Sequence, residues 1–233
     1  MSCLMPTRNR PTFVAQAIRC FDRQTYRNSE LIVVDDGETP VRDLCAGHPR
    51  ISYLHLDTPT PTGTKLNIAI ASASGDVLQK LDDDDYYGPE FLGTAVTALT
   101  GLPEHAIVTW DCFLILMAGE DAARFSGHGW NAGGTLCFRR EVWRQAPFRD
   151  LWAGSDSEFL NDHAGAAVGL CEPEQYLVVR HGRNTWTEVG EYDTDQYFRG
   201  LPLHSRPLDR LLDPPSLEFY LSLRFPADRA TQR

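Results

Sequence analysis

Four consecutive aspartates, Asp82 to Asp85, close a short apolar run, Val77 to Leu81, and lead into Tyr86-Tyr87-Gly88-Pro89. Adjacent carboxylates repel one another and persist at a strand-to-turn junction only with solvent or a cation. A hard divalent ion is the natural partner, since Mg2+ or Mn2+ takes one or two carboxylates and fills its octahedron with phosphate oxygens and waters. A second acidic pair, Asp35-Asp36-Gly37, closes the run Glu30 to Val34. Asp-Asp-Gly is also ordinary turn chemistry, so this pair reads either as ligand-facing or as a plain turn. Asp156 and Glu158 stand at the start of a helical stretch, where acids can serve as a general base or simply as first-turn residues. Lys65, one of two lysines, and the loop His181-Gly182-Arg183-Asn184 add groups that could meet a phosphate or a metal.

The elements that carry these residues alternate between β-branched runs and stretches with apolar residues at helical spacing, the pattern of βαβ units. Strands are expected at Cys3 to Met5, Glu30 to Val34, Ile51 to Leu56 and Val77 to Leu81. Helices are expected from Pro11, with Phe13, Val14, Ala17, Ile18 and Phe21 on one face, from about Thr64 to Ala73, and after Pro89. In open α/β sheets ligands collect at the carboxyl ends of strands, which brings Asp35, Asp36 and the four-aspartate run to one cleft. Beyond Leu102 the alternation loosens: Ile107 to Leu116 and Thr135 to Phe138 read as strands, Glu141 to Gln145 and Glu158 to Ala167 as helical pieces, and Tyr176 to Arg180 as a late strand.

The chain has 233 residues, 42% of them hydrophobic, with a net charge of −10. That balance repels polyphosphate surfaces, argues against general nucleic-acid or anionic-membrane binding, and makes any phosphate ligand depend on a local cation. The six cysteines are scattered with no CxxC pair, so the spacing indicates neither a zinc site nor a disulfide framework, and buried thiols are the reading. The apolar stretch Ala106 to Gly119 is interrupted by Asp111 and falls short of the roughly 20 residues of a membrane span. A cytoplasmic protein is the expectation.

The opening Leu4-Met5-Pro6-Thr7-Arg8-Asn9-Arg10-Pro11, the strand Leu31 to Gly37 and the run Leu81 to Pro89 resemble, in order, the N-terminal motifs of family 2 glycosyltransferases of the GT-A fold. Lys65-Leu66-Asn67-Ile68-Ala69, Gly133 to Val142 and Gly154 to Leu160 are similar to later motifs of that family. The resemblance implies an α/β GT-A fold: a Rossmann-like mixed central sheet flanked by helices, with an acceptor-side layer and a C-terminal extension. The expected division is a transferase domain over 1–200, with a nucleotide-binding half (1–102) and an acceptor-side half (103–200). The extension, 201–233, would pack on the domain or on a partner subunit in a homodimer.

By the same resemblance, Pro6, Thr7, Arg8, Asp35, Asp36, Lys65, Asp82, Asp83 and Arg183 would border a nucleotide-sugar donor, with UDP preferred because a uracil imide suits an aspartate acceptor. Asp82, Asp84 and His181 would hold Mg2+ or Mn2+. Asp156 would be the base of an inverting transfer to a carbohydrate or small-molecule acceptor, with Glu158 its rival, because the family's usual Glu-Asp is Ser155-Asp156 here. Trp130 and Trp186 are placed either on sugar rings or in packing. A non-catalytic nucleotide-sugar or carbohydrate-binding module on the same fold is the alternative.

Overall fold

The computed structural model describes residues 1–225. In chain order the first elements are β1 (Ser2–Thr7), α1 (Pro11–Arg23), β2 (Glu30–Asp35), α2 (Arg42–Cys45), β3 (Ile51–His55), α3 (Thr62–Ser72), β4 (Val77–Lys80), β5 (Tyr86–Tyr87) and α4 (Phe91–Thr100). They are followed by β6 (Ile107–Trp110), β7 (Leu114–Met117), β8 (Arg124–Phe125), β9 (Cys137–Arg139), α5 (Arg140–Gln145), α6 (Ser155–Asp162), β10 (Ala167–Leu170), β11 (Tyr176–Arg180), β12 (Glu188–Val189), β13 (Tyr192–Asp193), α7 (Thr194–Arg199) and α8 (Pro214–Ser222).

Seven strands form the main sheet in the order β10-β6-β9-β4-β1-β2-β3. Its β4-β1-β2-β3 portion is parallel, and β9 runs antiparallel between β4 and β6. The order reverses at β1, which has β2 on one side and β4 on the other, so a crevice opens at the carboxyl ends of β1 and β4. Helix α1 starts at Pro11, whose missing N–H costs nothing at the first helical position, and it buries Val14, Ala17, Ile18 and Phe21 against the sheet. At the opposite end of the sheet, Glu30 accepts from the Ser2 and Ser74 hydroxyls, each at 2.6 Å, and ties β1 to β2.

A second sheet, β5-β11-β7-β8, lies against the first. The apolar run read as one strand, Ile107 to Leu116, is two: β6 ends at Trp110 in the main sheet, and β7 begins at Leu114 in the small one. Asp111 turns the chain between them, accepting from Gly129 N–H at 2.8 Å. Hydrophobicity cannot register this break, because residues on both sides are fully buried. The strand read at Thr135 to Phe138 begins only at Cys137, after a 3₁₀ turn over Gly133–Thr135. The helix read at Glu158 to Ala167 is Ser155–Asp162, and Ala167–Leu170 is instead the edge strand β10, paired parallel with β6. Strands from both halves of the sequence therefore share the main sheet.

The C-terminal helix α8 packs on its own chain. Tyr220 is fully buried, its ring edge-on to Tyr86, and its hydroxyl donates to the Asp85 carbonyl at 3.0 Å. Gln16 of α1 donates to Ser216 Oγ at 2.8 Å. The extension expected over 201–233 is thus described as far as Phe225, and the rest lies outside the described residues. Five of the six cysteines are buried and Cys171 is exposed. Among the described residues no helix is long and apolar enough to cross a membrane.

Candidate active site

A cleft of about 840 Å³ opens at the carboxyl ends of β1 and β4, lined on one side by Pro6, Thr7, Arg8, Asp36, Lys65 and Asp82 to Asp85, and on the other by Trp130, Gly133, Gly134, Asp156 and Trp186. One wall comes from the β1–β4 half of the chain and the other from the segments after β7.

The aspartate run forms the floor, and its four members have different partners. Asp83 accepts from Thr7 Oγ1 at 2.6 Å and from Arg10 Nη1 at 2.8 Å. Asp84 accepts from the same Arg10 nitrogen at 2.8 Å and meets His181 Nε2 at 2.9 Å. Burial drives the Asp84 carboxyl upward, but the Arg10 guanidinium and His181 outweigh it and bring its pKa down to about 2. Asp85 borders the cleft but is held by the small sheet, accepting from Tyr176 Oη at 2.6 Å and Val179 N–H at 2.9 Å. Burial, then the charges of Asp84 and Asp82, push its pKa well above the carboxylate range. Asp82 keeps 30% of its side chain exposed, against 4% for Asp83 and 10% for Asp84, and pairs with Lys80 Nζ at 2.6 Å. Asp82 and Asp84 are therefore the open carboxylate and the firmly ionised one.

Lys80 joins the two walls. Its buried ammonium sits 2.6 Å from Asp82 and 3.8 Å from Asp156 Oδ2, and although burial disfavours its charge, Asp82 and Asp156 outweigh that and hold it protonated. Asp156 stands in the first turn of α6, entered through Gly154 in the left-handed region at φ 72°, where a Cβ would be strained. Helix α3 anchors that entrance: Gly63 N–H donates to Leu151 O at 3.1 Å, Thr62 Oγ1 to Trp152 O at 3.0 Å, and Asn67 Nδ2 to Phe148 O at 2.8 Å. On the facing segment, a Cβ at Gly133 would lie 2.5 Å from Asp156 Cγ, and one at Gly134 would lie 2.8 Å from Asp82 Oδ2. The Gly-Gly pair lets backbone press against both carboxylates.

The other expected site residues divide. Asp36 lines the cleft and is clamped by Lys65 Nζ at 2.8 Å and Thr60 N–H at 2.6 Å, while Lys65 also donates to Thr7 O at 3.1 Å. Asp35 is not on the cleft. It is fully buried and spent on the turn, accepting from Gly37 N–H, Val41 N–H and Tyr53 Oη at 2.8 to 3.0 Å. Glu158 points away from the cleft and pairs with Arg149 at 2.6 Å. The Arg183 side chain is exposed and does not line the cleft, whereas its carbonyl accepts from Arg10 Nη2 at 2.7 Å. Among the described residues, Asp82, Asp84 and His181 do not gather three ligand atoms within 4.8 Å of one another; His181 Nε2 meets Asp84 while its ring packs at a tilt, 4.5 Å from Phe13. Arg10 and Lys80 are the working residues that sequence reading passed over. Arg10 closes the opening motif directly before the helix-opening Pro11, and Lys80 stands two residues before Asp82, on the same face of an extended strand; these were the available signals.

An α/β molecule whose sheet order reverses over an acidic, glycine-backed cleft has the GT-A architecture. Solved structures agree: S. aureus TarS 1-349 in complex with UDP aligns at TM-score 0.58 and 19% identity over 76% of this chain and 60% of that one. The mannosyltransferase PcManGT from Pyrobaculum calidifontis, in complex with GDP-Man and Mn2+, aligns at 0.60 and 18% over 79% of this chain and 57% of that one. Residues 2–113 match the family model for Glycosyl transferase family 2. WcaA of Escherichia coli (strain K12), named as a colanic acid biosynthesis glycosyl transferase, is 34% identical over 113 residues, 46% of this chain and 40% of that protein. The GalNAc(5)-diNAcBac-PP-undecaprenol beta-1,3-glucosyltransferase of Campylobacter jejuni is 32% identical over 137 residues, 55% of this chain and 43% of that protein. The matched stretches thus span less than half the length of these curated relatives.

Proposed function

We propose that this chain transfers a sugar from a nucleotide-sugar donor, a UDP-sugar by preference, to an acceptor hydroxyl with inversion at the anomeric carbon. The observation that carries the reading is the placement of Asp156 across the cleft from Asp82 and Asp84, tied to Asp82 through the single ammonium of Lys80. The donor set of Asp82 and Asp84, two hard carboxylates of which Asp82 is the more open, fits Mg2+ or Mn2+, which would supply neutralisation of a donor diphosphate and of the charge on the departing nucleotide. Pro6, Arg8, Asp36 and Lys65 border the space for base and ribose. Arg10 holds Asp83 and Asp84 in register and spreads their charge.

On the facing wall, Asp156 takes the proton from the acceptor hydroxyl as that oxygen attacks, and Lys80 fixes the carboxylate rotamer through its contact at 3.8 Å. Trp130 and Trp186 bound the acceptor side. A binding module on the same fold would keep the floor and dispense with this wall chemistry.

The test is a panel of nucleotide sugars and acceptors with the full chain and Mn2+, scored by NMR for product configuration. Asp156→Asn is expected to keep nucleotide affinity and to lose transfer by on the order of 10² to 10⁴-fold. Retention of configuration, or full activity in Asp156→Asn, overturns the mechanism. Nucleotide binding without transfer or hydrolysis from any donor supports the binding module.

A further inference from the structure

Where the chain leaves the main sheet, Asp111 and Cys112 come beside Cys171. The pairing of β6 with β10 sets this: Trp110 lies opposite Leu170, and Asp111 N–H donates to Leu170 O at 2.9 Å. Cys112 Sγ lies 3.5 Å from Cys171 Sγ, and Cys171 Sγ lies 4.0 Å from His128 Nδ1. The same nitrogen is 2.7 Å from Asp111 Oδ2. His128 is presented by a loop bent at Gly127 (φ 76°) and Gly129 (φ 92°), conformations that glycine adopts freely.

We propose that Cys112, Cys171 and His128, with Asp111 beside them, form a binding site for a borderline-soft divalent metal ion of the zinc type. Thiolates about 2.3 Å from a tetrahedral zinc ion stand about 3.7 Å apart, and a thiolate and an imidazole nitrogen about 3.5 Å apart. The three ligand atoms all lie within 4.8 Å of one another, so small side-chain movements bring them to that geometry. Asp111 Oδ2 lies beside them, 2.7 Å from His128 Nδ1, and a water takes the fourth position. Sulfur and imidazole donors select zinc, cadmium or cobalt over magnesium, which separates this site chemically from the all-oxygen floor at Asp82 and Asp84. His128 keeps 61% of its side chain exposed, which leaves an entry path to the buried Cys112. On binding, each thiol gives its proton to solvent, the imidazole binds in its neutral form, and nothing is oxidised or reduced.

The site would work as a clasp. It joins the ends of β6 and β10 to the loop that continues into Trp130, whose N–H donates to the Asp111 carbonyl at 2.9 Å and whose ring lines the cleft. The proposal does not depend on the transfer reading.

The test is Co2+ titration of the reduced, chelator-treated full chain. The expected result is equimolar binding with a thiolate-to-cobalt charge-transfer band, displaced by Zn2+, and proton release in calorimetry that scales with buffer ionisation. Cys171→Ser, at an exposed position where folding is not at risk, should abolish the band, and Asp111→Asn should weaken binding by about 10- to 100-fold. Asp84→Asn should leave the band intact. Absence of a thiolate band in the reduced protein, or its persistence in Cys171→Ser, overturns the assignment. Oxidation of Cys112 and Cys171 to a disulfide with no cobalt uptake after reduction would overturn it equally.

Discussion

Gly133→Ala isolates the geometry of the base from its chemistry. The added methyl would lie 2.5 Å from Asp156 Cγ and 3.0 Å from its Cβ. Carbon atoms rest about 3.5 to 4.0 Å apart, so the carboxylate must retreat by at least ~1 Å. It has room to do so, since 27% of the Asp156 side chain is exposed and the residue is in the first turn of α6. The fold should therefore survive while the base loses its position. A misplacement of about 1 Å costs on the order of 10²-fold in rate, or roughly 2.7 kcal/mol of activation free energy. The assay is initial-rate transfer at saturating donor, with nucleotide affinity measured in parallel by calorimetry. The rate should fall about 10²-fold and the affinity should hold. In the double variant with Asp156→Asn the losses should not multiply, because both changes remove the same proton acceptor. Wild-type turnover in Gly133→Ala, or losses that multiply, would refute the placement of the base at Asp156.

EDTA and Asp84→Asn should each strongly weaken binding of a nucleoside diphosphate, because the acidic floor repels it unaided; unchanged calorimetric affinity in EDTA would remove the metal. The loop from His181 to Trp186 should exchange its amides more slowly with nucleotide and Mn2+ bound than without them, and equal exchange would count against its closing over the donor. Tyr220→Ala should cost about 3 kcal/mol through lost burial and the lost hydrogen bond to Asp85, a fall in Tm of roughly 6 to 12 °C. Burial raises the Glu30 carboxyl, but the Ser2 and Ser74 hydroxyls and neighbouring amides outweigh it and hold it below its usual value. With the folded pKa depressed, this stabilisation is present above the unfolded pKa and lost as pH falls through the folded one, so the penalty of Glu30→Gln in urea melts should shrink on acidification.

The parallel half of the sheet was legible because each of its strands is a short β-branched run followed by a helix with one apolar face, and both periodicities survive in the sequence. The second half was not. Trp110 and Leu114 are equally buried although they belong to different sheets, and Val168 carries no alternation because β10 is a four-residue edge. Among the site residues, Asp36 and Lys65 lie on the cleft where the motif order puts them. Asp35 could not be told from Asp36 by type, and only its three hydrogen bonds within the turn separate them. Glu158 and Asp156 are two residues apart on one short helix, and the partner that removes Glu158 from the cleft, Arg149, is nine residues upstream on another segment.

The hydrogen bond from Tyr220 to the Asp85 carbonyl spans 135 residues of chain. During synthesis the aspartate run therefore leaves the ribosome long before the side chain that seals it from behind. Until α8 arrives, Tyr86 lacks the ring that packs edge-on against it, and the Asp85 carbonyl lacks the hydroxyl it accepts from. Contacts of such separation form late, since loop-closure entropy must be overcome before they contribute. A nascent chain stalled before residue 220 should hold the parallel sheet but not a finished floor, which places the gain of ligand binding at the last step of folding.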